Sequence, residues 1–178
     1  MNKKNTIDRI LLFTGEGKGK TTAALGMALR AAGHGMRIGI ISFVKQRRSI
    51  GEMTALQRFP AVTFELCGKG FLPLQTDPAF GVHRQAAICG LEKAGKLLGD
   101  PEIDCVILDE VCVALAKKLI DKTAFRAIMR KKCGSKIIVL TGRNAPQWLV
   151  DMADTVSEMR CIKHGLGIGK KAQPGVEF

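Results

Sequence analysis

Gly15-Glu16-Gly17-Lys18-Gly19-Lys20-Thr21-Thr22 is the stretch whose reading decides the fold. The apolar run Ile10-Leu11-Leu12-Phe13 precedes it and Ala23-Ala24-Leu25-Gly26-Met27-Ala28-Leu29-Arg30 follows, an order of buried strand, glycine loop and helix. Glycines at 15, 17 and 19 let the backbone turn tightly and aim successive N–H groups inward, which makes an anion cradle. The helix start adds roughly half a positive charge from its unpaired N–H groups. Lys20 is placed to reach outer phosphates and the Thr21 hydroxyl to ligate Mg²⁺. The usual spacing G-x-x-x-x-G-K-S/T would put glycine at Thr14, so the first glycine comes one residue late. The stretch is read as a phosphate-binding P-loop.

Working outward, 178 residues suffice for one domain with a core that needs no disulfide staples, and residues 1–178 are taken as that single domain. A hydrophobic share of 46% with no tyrosine suits an α/β protein better than a β-sandwich. Met1-Asn2-Lys3-Lys4-Asn5 leads straight into the first strand without a signal-peptide pattern, and no apolar run is long enough to span a bilayer. Six cysteines (67, 89, 105, 112, 133, 161) form no C-x-x-C pair, and most lie in apolar segments. Buried free thiols in a reducing cytoplasm are expected. Cys161 and His164 have a ligand-like spacing but no second pair to complete a metal site.

The 28 basic and 16 acidic residues leave a formal charge of +12, which attracts polyanions. The cations come in small groups such as Arg130-Lys131-Lys132 and Lys170-Lys171, with no basic arm and no aromatic-interleaved RNA motif. These groups are read as solvated helix faces rather than a nucleic-acid surface.

Along the chain, Arg37 to Val44, Val62 to Leu66, Ile103 to Glu110, Lys136 to Thr141 and Thr155 to Arg160 read as strands. Helices are expected over Gly51 to Phe59, Asp77 to Leu98, Val111 to Lys118, Asp121 to Lys132 and Asn144 to Asp151. Asp77 and Asn144 are taken as N-caps, and Val82, Ala86, Ile88, Leu91, Ala94 and Leu98 as the apolar face of the second long helix. The second strand closes on Lys45-Gln46-Arg47-Arg48 instead of an acid for a ribose, and the glycines do not fit G-x-G-x-x-G, so a dinucleotide fold is excluded. Asp109-Glu110 closes its strand in the manner of a Walker B acid beside Mg²⁺. The Cys67 to Thr76 loop, with Phe71, Leu72 and Leu74, is a candidate lid over a large apolar ligand. The expected architecture is α/β, a mostly parallel sheet with helices on both faces, P-loop NTPase-like and RecA-like. Its ligands would meet at the strand C-terminal ends, where the P-loop, Lys45, Gly70-Phe71, Asp109-Glu110 and Arg143 converge.

These residues carry a resemblance. The P-loop through Ala24, Ala31-Ala32-Gly33-His34-Gly35, Phe43-Val44-Lys45, Gly51-Glu52, Gly70-Phe71, Leu108-Asp109-Glu110 and Thr141-Gly142-Arg143 resemble the CobA-type ATP:corrinoid adenosyltransferases. So does the closing run, Ala153 to Arg160, Lys163-His164-Gly165, Lys170-Lys171-Ala172-Gln173 and Gly175. The late-glycine P-loop is typical of that family. The resemblance implies transfer of the 5′-deoxyadenosyl group of ATP to the cobalt(I) of a corrinoid, with release of triphosphate, in cobalamin biosynthesis or corrinoid salvage. Gly15, Gly17, Lys18, Gly19, Lys20, Thr21 and Thr22 would bind the triphosphate, with Arg30 near its phosphates. Thr21 and Glu110 would hold Mg²⁺ or Mn²⁺, and Phe71 with Leu72 would crowd the lower face of the corrin. The resemblance makes Lys20, Phe71 and Glu110 the catalytic residues, and it implies a separate flavodoxin-like or other flavoprotein reductant and a cytoplasmic homodimer.

Two departures stand out. Pro73 occupies the position where some members carry Trp, and the only tryptophan is Trp148 in another helix. Little chain precedes the first strand, where some members have an extension over the site. A different corrinoid preference or a more open site is expected from these two facts. Three alternatives remain at this stage: a P-loop kinase or ATPase releasing ADP, a nucleic-acid-binding NTPase, and a corrinoid carrier without catalysis.

Overall fold

A computed structural model describes residues 8–46, 51–56 and 58–176. Six strands form one sheet: β1 (Arg9–Thr14), β2 (Ile38–Ser42), β3 (Val62–Leu66), β4 (Cys105–Asp109), β5 (Ile137–Thr141) and β6 (Thr155–Glu158). Their order is β3-β2-β4-β5-β1-β6 and every pairing is parallel. The helices are α1 (Lys20–Gly33), α2 (Gly51–Leu56), α3 (Phe80–Gly99), α4 (Val111–Ala116), α5 (Lys122–Met129) and α6 (Gln147–Val150). A short 3-10 turn spans Gly165–Ile168. No described helix is long and apolar enough to cross a membrane.

The three central strands read as unbroken apolar runs because both faces of the sheet are covered. Side chains alternate between the faces. Ile38, Ile40, Cys105, Ile107 and Val139 pack with Ala24, Leu25, Ala28 and Ala31 of α1. Ile41, Val106, Leu108, Ile138 and Leu140 pack on the other side with Leu91, Ala94 and Leu98 of α3 and Phe125 of α5. The ring of Phe125 meets Trp148 edge-on at 5.8 Å. The expected α/β architecture with helices on both faces is therefore present.

Several local expectations are corrected. Asp77 does not cap α3; its Oδ1 accepts the Ala79 N–H at 2.8 Å, closing a separate turn, and Ala79 takes the N-cap position. The face of α3 is also rotated: Val82 is 57% exposed, while Ala87, Gly90 and Gly95 turn inward because small residues let the helix approach its neighbours. Asn144 sits in the left-handed region (φ 55°) and α6 starts only after Pro146, whose extended backbone serves as the N-cap. Asp121 does cap α5, accepting the Ala124 N–H at 2.8 Å. All six cysteines are free, but only Cys67, Cys105 and Cys112 are buried, because Cys89 lies on the outer side of α3 and Cys133 and Cys161 lie in loops.

Asp8 ties the start of β1 to the start of β5. One carboxylate oxygen accepts the Lys136 N–H at 2.9 Å and the other pairs with Lys132. The Lys132 bond first, then the Lys136 N–H, hold its pKa below the usual Asp value. A depressed folded-state pKa gives stability that is present above the ordinary Asp pKa and lost as pH falls through the folded value. Asp8→Asn should therefore lower stability by at most about 1 kcal/mol at neutral pH, since the pair is partly exposed. Urea unfolding at neutral and acidic pH checks this, with the gap between variant and parent closing at acidic pH.

Candidate functional site

The glycine loop lies at the C-terminal end of β1. Thr14 is still a strand residue, in register with Glu158 of β6, so the loop opens one residue later, at Gly15. Gly15 has φ 94° and Gly19 has φ 112°, both left-handed, and Gly19 is the N-cap of α1. Gly17 serves a different need. Its N–H donates to Met159 O at 2.6 Å, and a Cβ there would stand 2.7 Å from the carbonyl oxygens of both Met159 and Arg160. Two of the loop glycines thus let it press against the backbone that leaves β6, since a Cβ on Gly15 would meet Met159 O at 2.5 Å.

Lys20 opens α1, is 6% exposed, and donates from Nζ to Gly15 O at 2.7 Å and Gly17 O at 2.6 Å. Burial lowers its pKa, opposed chiefly by the nearby Glu110 carboxylate. Around it lies a cavity of about 220 Å³ whose walls include Lys18, Thr21, Thr22, Lys45, Glu110 and Arg143. Four cations, Lys18, Lys20, Lys45 and Arg143, thus meet a helix N-terminus around one small space.

Asp109, the last residue of β4, is 1% exposed and holds the site together. Its Oδ1 accepts from Thr21 Oγ1 at 2.7 Å and Thr141 Oγ1 at 2.9 Å. Its Oδ2 accepts from Ser42 Oγ at 3.0 Å and faces Lys45 Nζ at 3.4 Å. Glu110, next in the chain, is left-handed (φ 59°) and sends its N–H to Thr141 Oγ1 at 2.9 Å. Burial first, then the charge of Asp109, push the Glu110 carboxyl pKa up, while Lys20, Lys45 and Arg143 pull it down. The two acids therefore take different places: Asp109 meets Thr21 directly, and Glu110 lines the cavity beside it.

The other candidates divide. Gly15, Gly17, Lys18, Gly19, Lys20, Thr21 and Thr22 share the loop and the start of α1. Arg30 is not brought there. It is exposed in the last turn of α1, about 15 Å along the axis from Lys20 at 1.5 Å per residue. Phe71 is fully exposed, Leu72 packs against the core and Leu74 is 79% exposed. Their loop is pinned at its base, with Cys67 N–H on Ser42 O, Gly70 N–H on Val44 O and Gln75 Nε2 on Lys117 O. Among the described residues no group of three or more His, Cys, Asp or Glu side chains could hold a metal, and Cys161 and His164 are both exposed.

Sequence reasoning passed over Ser42 and gave Asp109 no role of its own beside Glu110. A signal was present. Three buried strands, IGIIS, CVILD and IIVLT, each end on a single hydrogen-bonding side chain, and Ser42, Asp109 and Thr141 meet in one network. The ion pair of Arg143 with Glu16 at 2.9 Å, across the mouth of the loop, had no comparable signal.

The family model for ATP:corrinoid adenosyltransferase BtuR/CobO/CobP matches residues 7–178. The chain is 38% identical over 170 residues to a corrinoid adenosyltransferase of Pseudomonas aeruginosa, covering 95% of this chain and 83% of the relative. It is 37% identical over 170 residues to the corrinoid adenosyltransferase CobA of Salmonella typhimurium, covering 95% and 85%. Among solved structures, the flagellar accessory protein FlaH from Methanocaldococcus jannaschii has a TM-score of 0.54 at 14% identity, over 85% of this chain and 70% of that one. That likeness concerns the fold alone and agrees with a P-loop-type α/β sheet.

The close approach at Gly17 makes a discriminating pair of variants. Gly17→Ala should cost about 1–3 kcal/mol and weaken nucleotide binding, because backbone rather than a flexible side chain stands in the way. Gly26→Ala, in α1 with nothing within 4 Å of the new Cβ, should stabilise by about 0.5–1 kcal/mol. Thermal melts of both variants, with and without nucleotide, measure the contrast.

Proposed function

The chain belongs to the ATP:corrinoid adenosyltransferases of the BtuR/CobO/CobP family, and from that premise we propose how its residues divide the work. The reaction is adenosyl transfer from ATP to a corrinoid. The observation that carries the assignment to this site is the P-loop cavity, rich in cations, with no serine or cysteine among its described walls. Cys112, which follows Glu110 by two residues, is buried with its thiol pKa pushed up to about 12.

In our reading the nucleophile is the substrate's own cobalt(I). Its electron pair forms the bond to C5′, the C5′–O bond breaks, and the electrons leave with triphosphate as cobalt becomes formally cobalt(III). No proton has to be removed, so the protein needs no general base. Its work is alignment, which can supply roughly 7–11 kcal/mol of a barrier, and stabilisation of the departing charge. The loop N–H groups and Lys20 would grip the triphosphate. Lys20 would exchange its two carbonyl acceptors for phosphate oxygens, and its present partners keep it pre-aimed at the loop. Burial of its stem strengthens that interaction.

The hydroxyl and carboxylate oxygens of Thr21 and Glu110, both on the cavity wall, suit a hard cation. Thr21 and Glu110 would hold Mg²⁺ or Mn²⁺. Thr21 donates its hydroxyl hydrogen to Asp109, which leaves the oxygen lone pairs available on the other side. The cation, when bound, neutralises charge on the leaving group. Asp109 would thus act as a positioning residue behind Thr21. Phe71, exposed on a pinned loop, would offer a flat apolar face to the corrin and Leu72 would back it. Pro73, following them, would give a corrinoid face of different shape from the tryptophan-bearing members. We take the whole chain as one catalytic domain working as a cytoplasmic homodimer, with a flavoprotein such as a flavodoxin reducing the cobalt. The +12 charge would favour an acidic reductant.

Mixing the chain with ATP, Mg²⁺ and chemically reduced cobalamin or cobinamide should yield a light-sensitive adenosyl product and triphosphate, with no ADP. Loss of both products would sink the reading, and ADP instead of triphosphate would make the protein a kinase or ATPase. Phe71→Ala should lower kcat at least about tenfold with ATP binding intact. Lys20→Ala should lower it about a hundredfold.

A further inference from the structure

Beside the loop cavity lies a larger one, about 610 Å³, built from the chain after β6. Its walls carry Lys18, Arg160, Lys163, Lys170 and Lys171, and no carboxylate of the described residues lines it. Among the described residues none of these five cations makes an ion pair. Five like charges around one concavity repel one another, an arrangement that an anion of several charges relieves. Lys18, His164 and Val176 are walls of both cavities, so the two spaces adjoin.

The sheet gives this pair of cavities a direction. Phe71 follows β3 at one edge of the sheet, the tail follows β6 at the other, and the glycine loop follows β1, next to β6. Five inter-strand steps separate the two edges, about 24 Å at the ordinary strand spacing. With the corrinoid over Phe71, the attacked carbon lies between cobalt and the loop. An in-line displacement drives the leaving group away from cobalt, from the loop toward the tail.

We propose that the tail cavity is a second polyphosphate site, which receives triphosphate after it leaves the glycine loop. The assignment to triphosphate rests on the adenosyl-transfer reading; the presence of a polyanion site rests on the cations alone. A highly charged product held by N–H groups, Lys20 and a cation has a strong reason to stay bound, and product release limits many enzymes. A contiguous set of cations lets it exchange one set of partners for another without crossing bare solvent.

Calorimetric titration of the whole chain with inorganic triphosphate and Mg²⁺, at low ionic strength, is the test. Two equivalents per chain are expected. One equivalent should remain in a Lys163→Ala/Lys170→Ala/Lys171→Ala variant, and one should remain on the parent chain saturated with the β,γ-imido analogue of ATP. In that saturated state the lysine variant should bind triphosphate at least about tenfold more weakly than the parent. A single equivalent on the unmodified chain, two on the lysine variant, or none on the analogue-saturated chain would overturn the proposal. The unmodified chain decides the matter even should the variant fail to fold, which circular dichroism reports. Failure to form an adenosylcorrinoid would remove the functional reading and leave the titration to judge the site by itself.

Discussion

A buried carboxylate is the constraint on which the rest of the site depends. Asp109 is 1% exposed, and a charge so placed is costly unless several groups solvate it. Thr21, Thr141, Ser42 and Lys45 do so, and each comes from a different segment: the start of α1, the end of β5, the end of β2 and the loop beyond it. Removing any one leaves the others to hold a partly unsatisfied charge. The network therefore locks the register of three strand ends against the glycine loop and presents the loop in one geometry. Glu110 follows from the same constraint. With Asp109 turned inward, the left-handed turn at the next residue sends the second acid to the cavity wall.

The frame was legible because it follows from repeated, local patterns. Apolar runs of five residues between helices imply strands covered on both faces, and Val106 against Ile107 or Ile138 against Val139 shows the alternation that this requires. The P-loop was legible because its residue types are dictated by phosphate chemistry. What failed depended on competition between neighbours a few residues apart. Asp77 has a capping side chain, but the Ala79 N–H captured it first. Asn144 also has one, but Pro146 stands where the helix begins. Arg30 shows a different limit: a family pattern in the sequence carries no distance, and ten residues of helix separate it from Lys20. Glu16 with Arg143 is a pair 127 residues apart, invisible to any local pattern.

The glycine that came one residue late has a structural reason. Thr14 continues β1 and pairs with β6, so the turn cannot begin before Gly15. Gly15 and Gly17 then lie flat against Met159 and Arg160, the backbone leaving that same strand. In this chain the glycines leave an outer surface that admits the tail, and in the proposed function their inner N–H groups would face phosphate. A side chain at either position would push the tail away, and with it the cationic walls at 160, 163, 170 and 171.

That coupling bears on why the chemistry needs so little from the protein's own nucleophiles. The thiols of Cys105 and Cys112 are buried with pKa values pushed up to about 12, and the acids of the site are occupied as acceptors or cavity walls. What the fold concentrates instead is positive charge around the P-loop, from Lys18, Lys20, Lys45 and Arg143 and beyond them the tail, which the proposed arrangement puts on one side of the reacting carbon. In the same proposed arrangement Phe71, fully exposed on the loop after β3, would contribute an uncharged ring on the opposite side. Such a field stabilises negative charge on phosphate oxygens, and in the proposed reaction that charge belongs to the group that leaves. It favours a displacement in which a neutral face holds the electron-rich partner and a basic face draws off a polyanion. On this argument the P-loop of this chain, built from the same parts as those that activate a terminal phosphate, acts at the leaving end of its substrate.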